Sequence, residues 1–190
     1  TMRIESAARI ADVTGAQLYI VHNSTREGVD LIEAWKRRGT KIAAEMCPHY
    51  LTHTKHMHRE VGVWGKVIPP LRDVEDQTRL WQGLRSGAIE CVGTDHINYT
   101  REEKEAGVGK FGDIFIPPPG ISAGMATWLP VMITFGVNQG RISLETLVKV
   151  CSENTSKVFG TYPKKGVLLP GSDADIVIVD PKKEEVIRGD

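Results

Sequence analysis

The sequence predicts an α/β fold built on a parallel sheet. Short, β-rich apolar runs recur at residues 18–21, 41–46 and 89–93. Helical stretches separate them, and each gap is long enough for the crossover that parallel strands need. Periodicity alone leaves open whether such a sheet stays open or closes. A closed (β/α)8 barrel takes about 250 residues. Only three such units precede a β-like tail in this 190-residue chain, so a barrel here would be about half of one.

Residues 3–14 read as a helix, with Ile4, Ala7, Ala8 and Ala11 near helical spacing and Gly15 as its stop. The chain thus begins inside a helix, the expectation for a partial chain. Leu18–Val21 is the first strand. Ser24 and Thr25 offer a capping hydroxyl, with Glu27 in the acidic first turn of a helix that reaches Arg38 and stops at Gly39. Lys41–Met46 is the second strand, and Pro48 prevents its continuation. Residues 50–67 form a polar connection with some helical content. Asp73 caps a helix over 74–86, followed by the strand Ile89–Gly93. A long loop rich in charge, Gly and Pro spans about 96–120, a length that marks functional or mobile segments. Helices follow over 122–138, with Pro130 near a kink, and over 143–159. Ala174–Asp180 alternates like a half-buried strand.

The 24 basic and 24 acidic residues balance. No basic run points to nucleic acid or an anionic membrane surface. No apolar run approaches the roughly 18 residues of a membrane span. Cys47, Cys91 and Cys151 are too scattered for a disulfide framework and read as buried free thiols of a reducing, cytoplasmic setting.

Three polar residues follow the three apolar strands. His22 ends the first, His49 follows the second across Cys47-Pro48, and Asp95 follows the third across Thr94. Strand C-terminal ends converge on the ligand site in α/β folds. Two imidazoles and a carboxylate suit Zn²⁺ or a similar divalent ion. A single His in such a place is more often structural, so spacing leaves both readings open.

The motifs Val21-His22-Asn23-Ser24, Ala44-Glu45-Met46-Cys47-Pro48-His49-Tyr50-Leu51, Pro69-Pro70-Leu71-Arg72 and Gly93-Thr94-Asp95-His96 come in an order that resembles the cyclic amidohydrolases. So do Gly140–Leu144, Lys157–Gly160 and Gly171–Val177. The group contains dihydropyrimidinases, hydantoinases, allantoinases and dihydroorotases. The resemblance covers nearly the whole chain and implies the C-terminal part of a TIM-like (β/α)8 barrel over residues 1–165. Residues 166–190 would be a tail whose strand belongs to a small β-sandwich.

It further implies a binuclear zinc centre, or one of another divalent metal, in a longer parent chain. His22, His49 and Asp95 map onto metal ligands, and Asp95 also onto the general base that becomes an acid. A metal-activated hydroxide would open the ring of a dihydropyrimidine, hydantoin or related cyclic amide. Backbone groups at Ile68 and about Gly120 map onto the substrate contacts. His96, next to Asp95, reads as a residue that orients Asp95 or the substrate rather than as a ligand. The family's earlier HxH pair and carboxylated lysine have no counterpart here, so the chain alone is expected to be inactive. His56-Met57-His58 and His53 read as solvent-facing or locally bonded, and the four tryptophans as packing. Pro117–Gly124 leans toward allantoinases and dihydroorotases, whereas Lys66–Arg72 leans toward dihydropyrimidinases. A homo-oligomer, tetrameric as in the parent family, is expected. The alternative is a metal-free dihydropyrimidinase-related scaffold or oligomeric interaction protein.

Overall fold

The computed structural model describes residues 1–110, 120 and 124–188. Pro117–Pro119, Ile121–Ala123 and part of the long loop read from sequence lie outside the described residues. Helix α1 (Met2–Thr14) ends on Gly15 at φ 71°, the left-handed stop that the sequence placed there. Strand β1 (Leu18–Ile20) leads to helix α2 (Arg26–Arg37), whose first turn is capped by the Thr25 hydroxyl accepting from the Gly28 N–H at 3.1 Å. Strand β2 (Ile42–Met46) runs into a short helix α3 (Pro48–Thr52). Pro48 therefore both stops a strand and opens a helix: at the first helical position its missing N–H costs nothing.

The polar connection contains helix α4 (Met57–Val61) and a 3-10 turn, Gly62–Gly65. Helix α5 (Val74–Ser86) starts where the Asp76 carboxylate accepts from the Asp73 N–H, and stops at Gly87 with φ 78°. Strand β3 is only Cys91–Val92. Helix α6 (Arg101–Glu105) interrupts the long loop, held by reciprocal Thr100 and Glu103 caps. Helix α7 (Gly124–Val131) passes directly into a π-helical stretch, Met132–Val137. Pro130 cannot donate in the helix ladder, and the widened turn follows it at once. The last helical run comprises α8 (Leu144–Val148), a π turn (Lys149–Glu153) and α9 (Asn154–Val158).

The three strands form one parallel sheet in the order β1-β2-β3. Leu18 pairs with Ile42, Ile20 with Ala44, and Met46 with Val92. The middle strand reads apolar on both faces because both are covered: Ile42, Ala43, Ala44 and Met46 are all buried. Helix α5 packs on α2 and α3, and the α8–α9 run on β3. The approach of α5 to α2 needs Gly83, where a Cβ would stand 3.0 Å from Val29 Cγ1 and 3.1 Å from Ile89 Cγ1. The core unites Ile32, Met46, Leu51, Leu80, Leu84, Ile89 and Met132. Trp35 and Trp81 belong to it, each with its indole N–H satisfied, by Glu5 and by the Leu51 carbonyl.

The tail differs from the sequence reading. Ala174–Asp180 makes no strand ladder, and Ile176, Val177, Ile178 and Val179 are exposed. Alternation supplies only one face of a strand. The ladder requires a partner edge, and among the described residues no edge meets this segment.

Candidate metal centre at the C-terminal edge of the sheet

Because the three strands are parallel, their C-terminal ends share one edge. The ladder continues just past them, where the Asn23 N–H donates to the Glu45 carbonyl and the Gly93 N–H to the Met46 carbonyl, both at 2.9 Å. His22 and Asp95 then leave their strands at φ 38° and 48°; no other non-glycine described residue has positive φ. Such conformations cost about 1–3 kcal/mol each and persist where surrounding structure enforces them. At His22 the enforcement is visible, since its N–H points at the Glu45 carboxylate, 3.4 Å away.

The edge gathers donor atoms. One ligand atom each from Cys47, His49 and Asp95 lies within 4.8 Å of the others. Cys47 is fully buried at the entrance to α3, and His49, 7% exposed, sits in that helix's first turn. His49 Nε2 is buried and has no hydrogen-bond partner among the described residues. Burial pulls the His49 imidazole down to about 4, helped by the charges of His53 and His22. Its ring is therefore neutral at pH 7, with a lone pair to offer a cation. Burial raises the Asp95 carboxyl; His22 opposes that shift and Glu45 adds to it. Burial likewise raises the Cys47 thiol, with Asp95 and Glu45 pushing the same way. A thiol, a neutral imidazole and a carboxylate packed this closely are a group that could hold a cation. This donor set fits a divalent metal.

Of the residues read from sequence, His49 and Asp95 meet. His22 stands outside the 4.8 Å triad, although its charge acts on both. His96 donates its backbone N–H to Thr94 Oγ1 at 3.3 Å, and its buried Nδ1 has no partner among the described residues. Ile68 is half exposed. Gly120 is buried at φ 134°, and its N–H donates to the Lys66 carbonyl at 3.0 Å, so the two segments assigned to substrate lie side by side. A Cβ at Gly120 would meet Ile97 Cδ1 at 2.7 Å. The buried Lys104 also donates to the Lys66 carbonyl, at 3.2 Å. Arg72 reaches Ser24 Oγ at 3.5 Å, which makes it a tie between loops. His53 and His56 are exposed.

Two residues at this edge carried no assignment from sequence. Cys47 reads from sequence as a buried free thiol, and the structure keeps it so; the Cys-x-His spacing is its signal of a place at this edge. Glu45 was visible as the one charge inside an otherwise apolar strand. Its carboxylate accepts from the Tyr19 hydroxyl at 2.8 Å and lies beneath the site against Gly93, where a Cβ would stand 2.6 Å from Glu45 Oε2. Gly93→Ala is accordingly expected to push the Glu45 carboxylate away from Tyr19 and to destabilise the chain by about 1 kcal/mol, the net worth of that hydrogen bond. Urea unfolding measures it, and an unchanged midpoint would place Glu45 elsewhere.

Among the described residues no helix is long and apolar enough to cross a membrane. The family model described as "Amidohydrolase family" matches residues 5–190. An L-hydantoinase from Paenarthrobacter aurescens is 40% identical over 177 residues, which are 93% of this chain but 38% of that protein. A D-hydantoinase from Ralstonia pickettii is 37% identical over 186 residues, 96% of this chain and 40% of its own length. Among solved structures, the L-hydantoinase (dihydropyrimidinase) from Arthrobacter aurescens superposes with a TM-score of 0.81 at 40% identity, over 90% of this chain and 37% of its own. The D-hydantoinase from Bacillus sp. AR9 gives 0.84 at 34% identity, over 90% and 38%. The chain thus spans less than half the length of these relatives, and its three-stranded sheet with flanking helices is the C-terminal part of a TIM-like amidohydrolase barrel. A match over residues 5–190, the shared fold, and an edge that gathers His49 and Asp95 together make this chain a member of the amidohydrolase family.

Proposed function

We propose that this chain carries the C-terminal part of the active site of a zinc-dependent cyclic amidohydrolase, which opens a hydantoin, dihydropyrimidine or related ring. The observation that carries the reading is the approach of His49 and Asp95 donor atoms to within 4.8 Å at the strand ends, together with an unpartnered buried His49 Nε2. The substrate class follows the printed names of the relatives, which are hydantoinases.

His22, His49 and Asp95 would hold metal in a binuclear centre. When bound, the metal supplies Lewis acidity toward the ring carbonyl and a hydroxide at neutral pH. Asp95 then moves the proton, accepting it from the attacking water and returning it to the leaving ring nitrogen. Backbone groups at Ile68 and Gly120 bind the ring. The Gly120 N–H is already spent on Lys66, which leaves the carbonyl for a ring N–H. His96 sits beside Asp95 in sequence and presents an unused Nδ1 for orienting Asp95 or the ring.

Residues 1–165 form the barrel part and 166–190 the tail of a sandwich domain, whose exposed Ile176–Val179 run awaits a partner strand. The three free cysteines fit a reducing cytoplasm, and the parent assembles as a homo-oligomer, a tetramer by family resemblance. The test is ring opening of hydantoin and dihydrouracil, followed by loss of amide absorbance with and without added Zn²⁺. The protein that carries this chain is expected to turn over in a metal-dependent way, and the 190-residue chain by itself to be inactive. Metal-independent turnover, or none with any cyclic amide by the former, sinks the reading.

A further inference from the structure

We propose that Lys104 is a positioning residue that holds the Lys66–Ile68 segment against Gly120 and so fixes the spacing of the two backbone groups that grip the ring. This rests on the reading of Ile68 and Gly120 as the ring's contacts, and it adds the side chain that sets their geometry.

Three observations carry it. The first is the cost of burial. Lys104 is 2% exposed, and a lysine is almost never buried this deeply unless its ammonium is paired. Burial pulls that ammonium down to about 8, and the charge of Lys66 pulls the same way, so most of it is still a charged donor at neutral pH. The second is the bond it makes. Lys104 Nζ donates to the Lys66 carbonyl at 3.2 Å, and the Gly120 N–H donates to that same oxygen at 3.0 Å. A carbonyl oxygen has two lone pairs, and this one uses both to join the segments. A charged donor makes such a bond worth more than a neutral pair does. The third is the fixing of the segment at its other end. Tyr50, which follows His49 in α3, donates its hydroxyl to the Pro69 carbonyl at 2.8 Å. Lys66 and Pro69 are therefore pinned on either side of Ile68, which is half exposed between them.

Local structure delivers Lys104 to this place. Helix α6, capped by Thr100 and Glu103, packs on the 3-10 turn Gly62–Gly65, and that turn leads directly into Lys66. One side chain thus ties the loop that leaves the sheet at Asp95 to the segment that ends on Ile68. His49 and Asp95 lie on other segments, so loss of Lys104 leaves the chemistry in place and loosens the grip on the ring.

The protein that carries this chain is compared with its Lys104→Met variant, which keeps an unbranched side chain and removes the ammonium. KM for hydantoin is expected to rise by at least roughly 10-fold, the worth of one hydrogen bond from a charged group. The kcat should stay within about threefold of wild type, the signature of lost ground-state binding. Amide hydrogen exchange gives a readout independent of turnover. The Gly120 N–H should exchange at least roughly 10-fold faster in the variant, while that of Leu84 in the core of α5 keeps its rate. Glu105→Gln, an exposed change in the same helix, should alter neither. Lys104→Leu serves if the methionine variant does not fold. A lower Tm with unchanged KM would make Lys104 only an anchor of α6 and overturn the proposal. Unchanged exchange at Gly120, or a fall in kcat with KM unmoved, overturns it as well. Absence of ring opening by the wild-type protein defeats the functional reading instead, and exchange at Gly120 still decides whether Lys104 holds the two segments together.

Discussion

Asp95→Asn is expected to lower the rate of cyclic-amide ring opening by roughly 10²–10⁴-fold, the usual worth of a positioned acid–base group. Asparagine keeps the shape of the side chain. It is also among the few non-glycine residues that accept positive φ readily, and position 95 sits at φ 48°. The substitution therefore removes the proton acceptor and the anionic ligand while leaving the strained turn in place. Stability should be nearly unchanged, which separates this variant from a folding defect. Rate constants of the purified protein that carries the chain, with thermal unfolding as control, check it. Activity within about threefold of wild type would remove Asp95 from the chemistry.

Leu80→Ala is expected to cost about 2–5 kcal/mol, the range for emptying a fully buried leucine site. Leu80 has no exposed surface and lies in α5, the helix that packs on both α2 and α3. Its neighbour Trp81 donates to the Leu51 carbonyl of α3 at 3.2 Å. Collapse around the cavity is hindered because α5 is pinned on two sides, so the cost should sit in the upper part of the range. Typical domains unfold with only about 5–15 kcal/mol, so the urea midpoint should fall steeply. A loss below about 1 kcal/mol would mean that the α5 interface relaxes freely.

Much of the fold was legible because local rules and tertiary packing agree. Gly15 and Gly87 stop their helices at φ 71° and 78°, and Thr25 caps α2 as its hydroxyl promised. The apolar middle strand was readable because parallel strands are covered on both faces. Sequence and structure part company where bonding depends on a neighbour. Ile89–Gly93 shrinks to Cys91–Val92, which pair with β2 in register, while Glu90 and Gly93 on either side give β2 only one N–H each. Ala174–Asp180 alternates but makes no ladder among the described residues. Helix α6 was overlooked despite its Thr100-x-x-Glu103 signal, because five residues give too short a periodic pattern to stand out.

By itself, the sequence determined the βα order, the parallel sense of the strands, the resemblance to cyclic amidohydrolases, and the placement of His22, His49 and Asp95 after successive strands. Each is a property of chain order or of local conformational preference. Only the tertiary structure decided which donors meet. Cys47 joins His49 and Asp95 within 4.8 Å, while His22 is turned at φ 38° over Glu45 and stands outside that triad. Distances between strand ends depend on ladder register and on the turn each chain segment takes on leaving the sheet. Neither is encoded by the spacing of residues along one strand.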